Sequence, residues 1–216
     1  MRKDMPLRFY RILFGLLVIT AIAAQLQFGM QQSTFSIVNF FSFFTIESNI
    51  FAAVLFLVLA FTPSYKSQKW AMIRGASVVF MATTGIVYAL LLSGLEESLQ
   101  TPIPWVNAVL HYIMPAAVLL DWFVDLPAMR LMFKKALVWL AFPLIYVVYS
   151  LGRELVIDWA PYPFLNPDLE HGYSGVAIMS SIIAICLIVL VWLVAYTTKF
   201  GKTKATVKKQ RRAQSA

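Results

Sequence analysis

Cysteine is almost missing: Cys186 is the single one in 216 residues. No disulfide can form within the chain, and no Cys-based zinc or redox motif is available. Charge is sparse as well, at 13% of residues, against about 25% in a typical soluble domain. Histidine occurs twice, as His111 inside an apolar stretch and His171 in a polar loop, a poor pair for haem ligation across helices. There is no G-x-S-x-G elbow, no H-E-x-x-H, no Walker loop and no dinucleotide fingerprint, which sets aside the chemistries those motifs carry. No metal site and no cofactor is expected. What fills the chain is apolar: 60% of residues are hydrophobic and the mean hydropathy is +0.75. The expected class is an all-α, polytopic integral membrane protein.

Six apolar runs approach the roughly 17–25 residues that cross a bilayer as a helix: Phe9–Phe28, Phe35–Phe61, Ala71–Leu92, Trp105–Val124, Ala136–Leu151 (extending to Arg153) and Tyr173–Thr198. The first contains Ala21-Ile-Ala-Ala, similar to a signal-peptide cleavage region, but the later spans fit one topology only if it is retained. The net charge of +8 would suggest nucleic acid in a soluble protein; here its distribution points to membrane orientation, and no nucleic-acid partner is expected. Arg2, Lys3, Arg8 and Arg11 precede or open span one, and Lys66, Lys69 and Arg74 follow span two. Arg130, Lys134 and Lys135 follow span four, and Lys199, Lys202, Lys204, Lys208, Lys209, Arg211 and Arg212 lie in the tail. Seventeen of eighteen basic residues thus fall on one side, with Arg153 alone on the other beside Glu96, Glu97, Glu154, Asp158, Asp168 and Glu170. By the positive-inside rule both termini are expected in the cytoplasm. The organisation expected is one six-helix domain over residues 1–200 and a disordered basic tail over 201–216. The tail is a topology anchor and a candidate contact for anionic lipid, at roughly 1 kcal/mol per basic residue near the surface. No strong internal repeat is visible, although three spans per half leave an inverted-repeat transporter geometrically open.

Within span two, the stretch Phe40–Phe51 (FFSFFTIESNIF) places Ser42, Thr45, Glu47, Ser48 and Asn49 among bulky apolar residues. Polar groups buried without partners cost roughly 2–7 kcal/mol each in apolar surroundings, so the cluster must face protein or trapped water. Polar residues at such depth mark a functional site by default. Neighbours three and four apart share a helix face, which groups Thr45 with Ser48 and Asn49; Glu47 lies about 200° around the axis. The ordinary fate of a membrane threonine is a bond to its own backbone one turn back.

Span four carries Asn107, His111 and Pro115 at four-residue spacing, and Asp121 near its end. Counting 1.5 Å per residue puts His111 roughly 9 Å, and Thr45 roughly 15 Å, below the outer boundary, so the two can meet. Span three offers Ser77, Thr84 and Tyr88, and span five Tyr146, Tyr149, Ser150 and Arg153; these serve either as interhelical hydrogen bonds or as a polar interior. The loop Asp158–Tyr173 has three prolines, three acids and the aromatics Trp159, Tyr162, Phe164 and Tyr173. It is too apolar for a solvated linker and reads as a cap over the bundle or as an interfacial aromatic belt.

Three patches together resemble one family: Phe43-Phe44-Thr45 in span two, Asn107-x3-His111-x3-Pro115-x5-Asp121 in span four, and Tyr162-Pro-Phe-Leu165 in the loop. They are similar to the androgen-induced-protein family and its bacterial six-span relatives. Eukaryotic members hydrolyse fatty acid esters of hydroxy fatty acids within the membrane, using an essential threonine and histidine. The resemblance implies Thr45 as nucleophile and His111 as its base. Glu47-Ser48-Asn49 and Asp121 depart from the eukaryotic pattern and match the bacterial branch, which implies a plasma membrane location.

Chemistry agrees with that implication, because a hydroxyl becomes a useful nucleophile when a neutral imidazole within about 3 Å takes its proton. Asn49 and Arg153 are candidate oxyanion donors, and Ser48, Asn107 and Tyr149 complete the supporting set. Asn107 is the nearest group able to orient His111. The expected function is a threonine hydrolase acting on a lipid-like carboxylic ester that arrives laterally. The alternatives are a non-catalytic lipid-binding or transport protein using the same polar interior, and a structural protein whose polar residues only lock the bundle.

Overall fold

The computed structural model describes residues 5–62, 66–95 and 102–214, with side chains described as far as Gly201. Arg2, Lys3, Glu96, Glu97 and the tail side chains from Lys202 onward, which entered the charge argument, lie outside the described residues. The fold is all-helical, with no strand among the described residues. Six helical stretches are long and apolar enough to cross a membrane: Met5–Gly29, Phe44–Phe61, Gln68–Leu92, Pro104–Val124, Phe133–Ile157 and Tyr173–Gly201.

Helix α1 (Met5–Gly29) packs chiefly on α3 (Phe44–Phe61), and α4 (Gln68–Val87) packs on α3 and on α6 (Met114–Val124). These helices form the core, with α5 (Pro104–Ala108) leading into α6. Helices α7 (Phe133–Ala136), α8 (Ala141–Ile157) and α9 (Tyr173–Gln214) lie outside it and turn residues such as Leu144, Ile145, Val148, Ile178 and Ile185 outward. Exposed apolar side chains along α8, and along α9 as far as Phe200, are what lipid-facing helices require, because lipid is as apolar as the side chains that meet it.

One expectation needs correction. Span two is not one helix from Phe35 to Phe61: a short α2 (Ile37–Phe41), capped by the Ser36 hydroxyl, ends at Ser42, and α3 restarts at Phe44 after an extended Phe43. A chain break inside a bundle exposes backbone donors and acceptors that must be satisfied. Here distant side chains satisfy them. The Tyr146 hydroxyl accepts the Phe44 N–H at 3.2 Å and donates to the Ser42 carbonyl at 3.0 Å. The Arg153 guanidinium donates to Ser42 Oγ and Asn39 Oδ1, both at 2.8 Å. Helix α9 itself runs on to Gln214. Lys202–Gln214 has neither Gly nor Pro and is rich in Lys, Arg, Ala and Gln, all strong helix formers.

The loop between α8 and α9 begins and ends on left-handed backbone. Asp158 (φ 53°) terminates α8, and His171 (φ 57°) with Gly172 (φ 87°) turns the chain into α9; Gly172 adopts that conformation at no steric cost. Between these corners Tyr162, Phe164 and Leu165 are buried. Tyr162 stacks on Phe164 with ring centroids 5.1 Å apart and meets Phe43 edge-on at 5.6 Å. The loop is a packed cap on the start of α3.

Candidate active site

The break before α3 puts Thr45 in the first turn of that helix, where backbone N–H groups have no partner within the helix. Ile46 and Glu47 direct theirs back to the Phe43 carbonyl. The Thr45 N–H donates instead to the Tyr162 hydroxyl at 3.2 Å. Being at the helix start, Thr45 has no helical carbonyl one turn back, and its hydroxyl is spared the ordinary fate of a membrane threonine. Thr83 and Thr84, mid-helix in α4, do bond the carbonyls of Val79 and Phe80, at 2.8 and 3.1 Å. Thr45 Oγ1 lies 3.3 Å from His111 Nε2 and 3.4 Å from the Tyr162 hydroxyl. All three residues are buried.

The direction of each hydrogen bond around His111 follows from its partners. Nδ1 faces two acceptors of Asn107, the side-chain Oδ1 at 2.6 Å and the main-chain carbonyl at 3.2 Å, so Nδ1 carries the proton. Nε2 therefore holds the lone pair, and the Thr45 hydroxyl is its donor. With that proton committed, the Tyr162 hydroxyl is the donor to Thr45 Oγ1. Asn107 Nδ2 donates to the Tyr88 hydroxyl. The Tyr88 ring lies flat on the imidazole, with centroids 3.8 Å apart and planes 17° apart. The imidazole is held in plane by Tyr88 and in tautomer by Asn107, the two controls a histidine base requires.

Local backbone irregularity builds this cradle. Residues Val109–Ile113, with His111 at the centre, form a π turn in which the Met114 N–H reaches back five residues to Val109. A second π turn, Tyr88–Leu92, closes with the Ser93 N–H on the Tyr88 carbonyl. Such turns recur at functional sites because they re-aim side chains within a helix. In the first, the Leu110 carbonyl would look five residues ahead to Pro115, which has no N–H. Asn49 Nδ2 fills that vacancy, donating to the Leu110 carbonyl at 3.1 Å and to the Thr45 carbonyl at 2.8 Å. Asn49 thus ties the first turn of α3 to the π turn around His111. Gly85 lets α4 approach the same spot: a Cβ there would stand 3.2 Å from the Pro115 ring and 3.4 Å from the His111 carbonyl.

The sequence candidates therefore fall into two groups. Thr45, His111, Asn107, Asn49 and Ser48 come together, with Ser48 Oγ bonding the Thr45 carbonyl at 3.2 Å and Thr84 Oγ1 at 2.9 Å. Tyr149 and Arg153 assemble on Ser42 instead, the Tyr149 hydroxyl at 2.9 Å from Ser42 Oγ and the Arg153 guanidinium stacked 4.7 Å from the Trp159 ring. As oxyanion donors neither original candidate fits: the Asn49 amide is committed to two carbonyls, and Arg153 reaches Asn39 and Ser42 rather than Thr45. Glu47 shares the first turn of α3 and is half-buried, consistent with a carboxylate at a helix start. The sequence reading puts Tyr88 on a polar face and Tyr162 in the capping loop and in the Tyr162-Pro-Phe-Leu165 patch, without giving either a role beside Thr45 and His111; the signals for more are the proline after His111 and a tyrosine set among apolar loop residues.

Asn107 carries a prediction. Asn107→Ala removes the 2.6 Å acceptor but leaves the main-chain carbonyl on Nδ1. If His111 serves as a base in hydrolysis, the expected loss in kcat is roughly 10–100-fold, smaller than the roughly 10⁴-fold seen where an orienting group's replacement traps the wrong tautomer. Steady-state hydrolysis by the purified variant measures it, and a loss below about threefold would show that the backbone carbonyl alone orients the ring.

Among the described residues no group of three or more His, Cys, Asp or Glu is placed to hold a metal ion. No family model matches the chain, and no curated protein or solved structure matches it significantly.

Proposed function

We propose that the chain is an intramembrane threonine hydrolase that cleaves a lipid-like carboxylic ester. The observation that carries this reading is the directed relay Thr45 Oγ1–H to His111 Nε2, with Nδ1–H fixed on Asn107. It is the nucleophile–base–orienter geometry on which covalent acyl transfer depends, and it stands at the end of a helix whose dipole favours developing negative charge. The resemblance to the androgen-induced-protein family supports the same two residues.

The steps follow from the relay. Thr45 Oγ1 attacks the ester carbonyl carbon as its proton passes to His111 Nε2, and the carbonyl electron pair moves onto oxygen. Collapse of that intermediate breaks the ester C–O bond, and the imidazolium returns its proton to the departing alkoxide. Water, deprotonated by His111, then attacks the acyl-threonine and releases a carboxylic acid and free Thr45. Asn107 holds the imidazolium in place in both halves. The 3.3 Å separation is loose for proton transfer, as resting hydrolase sites commonly are before substrate tightens them. Access requires the cap formed by Tyr162 and Phe164 to lift, or α3 and its neighbours to part toward lipid, since Thr45 and His111 are covered.

A fluorophosphonate probe tests this on the purified protein in detergent. The expected result is one covalent adduct, mapped by mass spectrometry to Thr45, that is absent in Thr45→Ala and His111→Ala of unchanged helicity. An adduct mapped elsewhere would displace Thr45 as nucleophile. No adduct on a folded protein that still binds fatty acyl esters would favour the lipid-binding reading.

A further inference from the structure

Acyl transfer needs a donor for the oxyanion, and the two side chains that sequence pattern suggested are spent elsewhere. We infer that the Tyr162 hydroxyl is that donor, which makes the loop between α8 and α9 part of the catalytic machinery and not only a cover. This rests on the threonine hydrolase reading.

The hydrogen-bond inventory singles out this hydroxyl. A phenol has one proton and two acceptor sites. The Tyr162 oxygen accepts the Thr45 N–H, and its proton points to Thr45 Oγ1, 3.4 Å away. The neighbouring Tyr146 differs: its proton is committed to the Ser42 carbonyl at 3.0 Å, and its oxygen accepts the Phe44 N–H. In a tetrahedral intermediate the new oxyanion sits about 2.4 Å from the attacking oxygen, two single bonds apart. A donor 3.4 Å from Thr45 Oγ1 can therefore reach it within the roughly 2.7–3.1 Å that oxyanion stabilisation requires. The proton that rests on the nucleophile in the free protein turns to the oxyanion as Oγ1 becomes bonded to carbon. The interaction is made most strongly in the transition state, as catalysis requires. Burial pushes the Tyr162 phenol above its usual range, so it keeps its proton at neutral pH.

The ring is held for this task. It is 6% exposed, stacks on Phe164 and meets Phe43 edge-on; Pro161 and Pro163 restrict the backbone on either side. Because the hydroxyl is delivered by a loop bounded by the left-handed corners Asp158 and His171–Gly172, a lifted cap would take the oxyanion donor with it. Turnover would then proceed only with the cap closed.

Tyr162→Phe keeps every ring contact and removes one hydroxyl. The expected result is a fall in kcat of roughly 10²–10³-fold, the usual effect of losing one oxyanion donor, with KM changed less than threefold. A trifluoromethyl ketone, which mimics the tetrahedral state, should lose affinity by a similar factor, while a non-hydrolysable ether analogue should bind as before. Tyr146→Phe removes the equivalent cap bond from Phe44 and reports the structural share; its loss in kcat should be at least tenfold smaller. Two outcomes overturn the inference while leaving the hydrolase reading intact: Tyr162→Phe turning over within threefold of wild type, or both tyrosine variants losing the same factor. A wild-type protein that neither turns over esters nor takes a probe at Thr45 removes both.

Discussion

Thr45→Ala and His111→Ala each lower ester turnover by at least about 10³-fold, and the double variant falls no further: this is the expected result if the pair acts as one device. The reason lies in the single hydrogen bond between Thr45 Oγ1 and Nε2. Without the imidazole the threonine proton has no acceptor, and without the hydroxyl the base has nothing to activate, so the second deletion has little left to remove. Independent contributions would instead multiply. The residual rate should equal that of the polar cradle alone. Thr45→Ser retains the hydroxyl and should recover a measurable part of kcat, because the first-turn position of α3 and the Tyr162 cap bond are backbone properties. Turnover of a chromogenic acyl ester in detergent, with helicity checked for each variant, measures the cycle. Multiplicative losses would mean that His111 serves the bundle and not the nucleophile.

The parts of this arrangement that were legible in the sequence are those set by local pattern. Six apolar runs correspond to six helices long and apolar enough to span, and the four-residue spacing of Asn107 and His111 puts the two on one helical face, where the structure bonds them. Thr45 with Ser48 and Asn49 was likewise readable from helical periodicity. The break at Ser42–Phe43 was not, because FFSFF has no glycine or proline to announce it. Its cause is tertiary: hydroxyls of Tyr146 and Tyr162 and the guanidinium of Arg153, more than a hundred residues away in the chain, satisfy the backbone and side-chain groups that the break exposes. The π turns were hidden for a related reason. Pro115 forbids the regular ladder, but only the Asn49 amide on the far side of the interface makes the altered ladder tolerable. Arg11 and Arg74 were counted solely for orientation, because a charge count carries no information about burial.

Those two arginines set the largest expected loss of stability. Arg11 is fully buried and grips Asp121 with both ends, Nε to Oδ1 at 2.7 Å and Nη2 to Oδ2 at 3.2 Å. Arg74 adds Nη2 to the same Oδ2 at 3.1 Å, and both guanidiniums reach Asp125 at 3.4 Å. Two cations and two carboxylates balance, so α1, α4 and α6 are joined without a net buried charge. Replacing Asp121 by Asn keeps the shape and leaves both guanidiniums facing a single remaining carboxylate. Removal of one partner from a buried pair costs about 3–5 kcal/mol, most of it the penalty of the charge left behind. Asp125→Asn should cost less, since that side chain is 26% exposed and water can screen what remains. The sign of a compensating change discriminates the cause. Asp121→Asn combined with Arg11→Met restores the charge balance and should recover part of the loss, which a purely steric origin would not allow. Thermal or SDS unfolding in detergent measures the three variants. Asp121 lies ten residues beyond His111, about 15 Å along a helix, so probe labelling of Thr45 per folded molecule should be unchanged. Loss of labelling in a folded Asp121→Asn would instead couple the ion cluster to the site through α6.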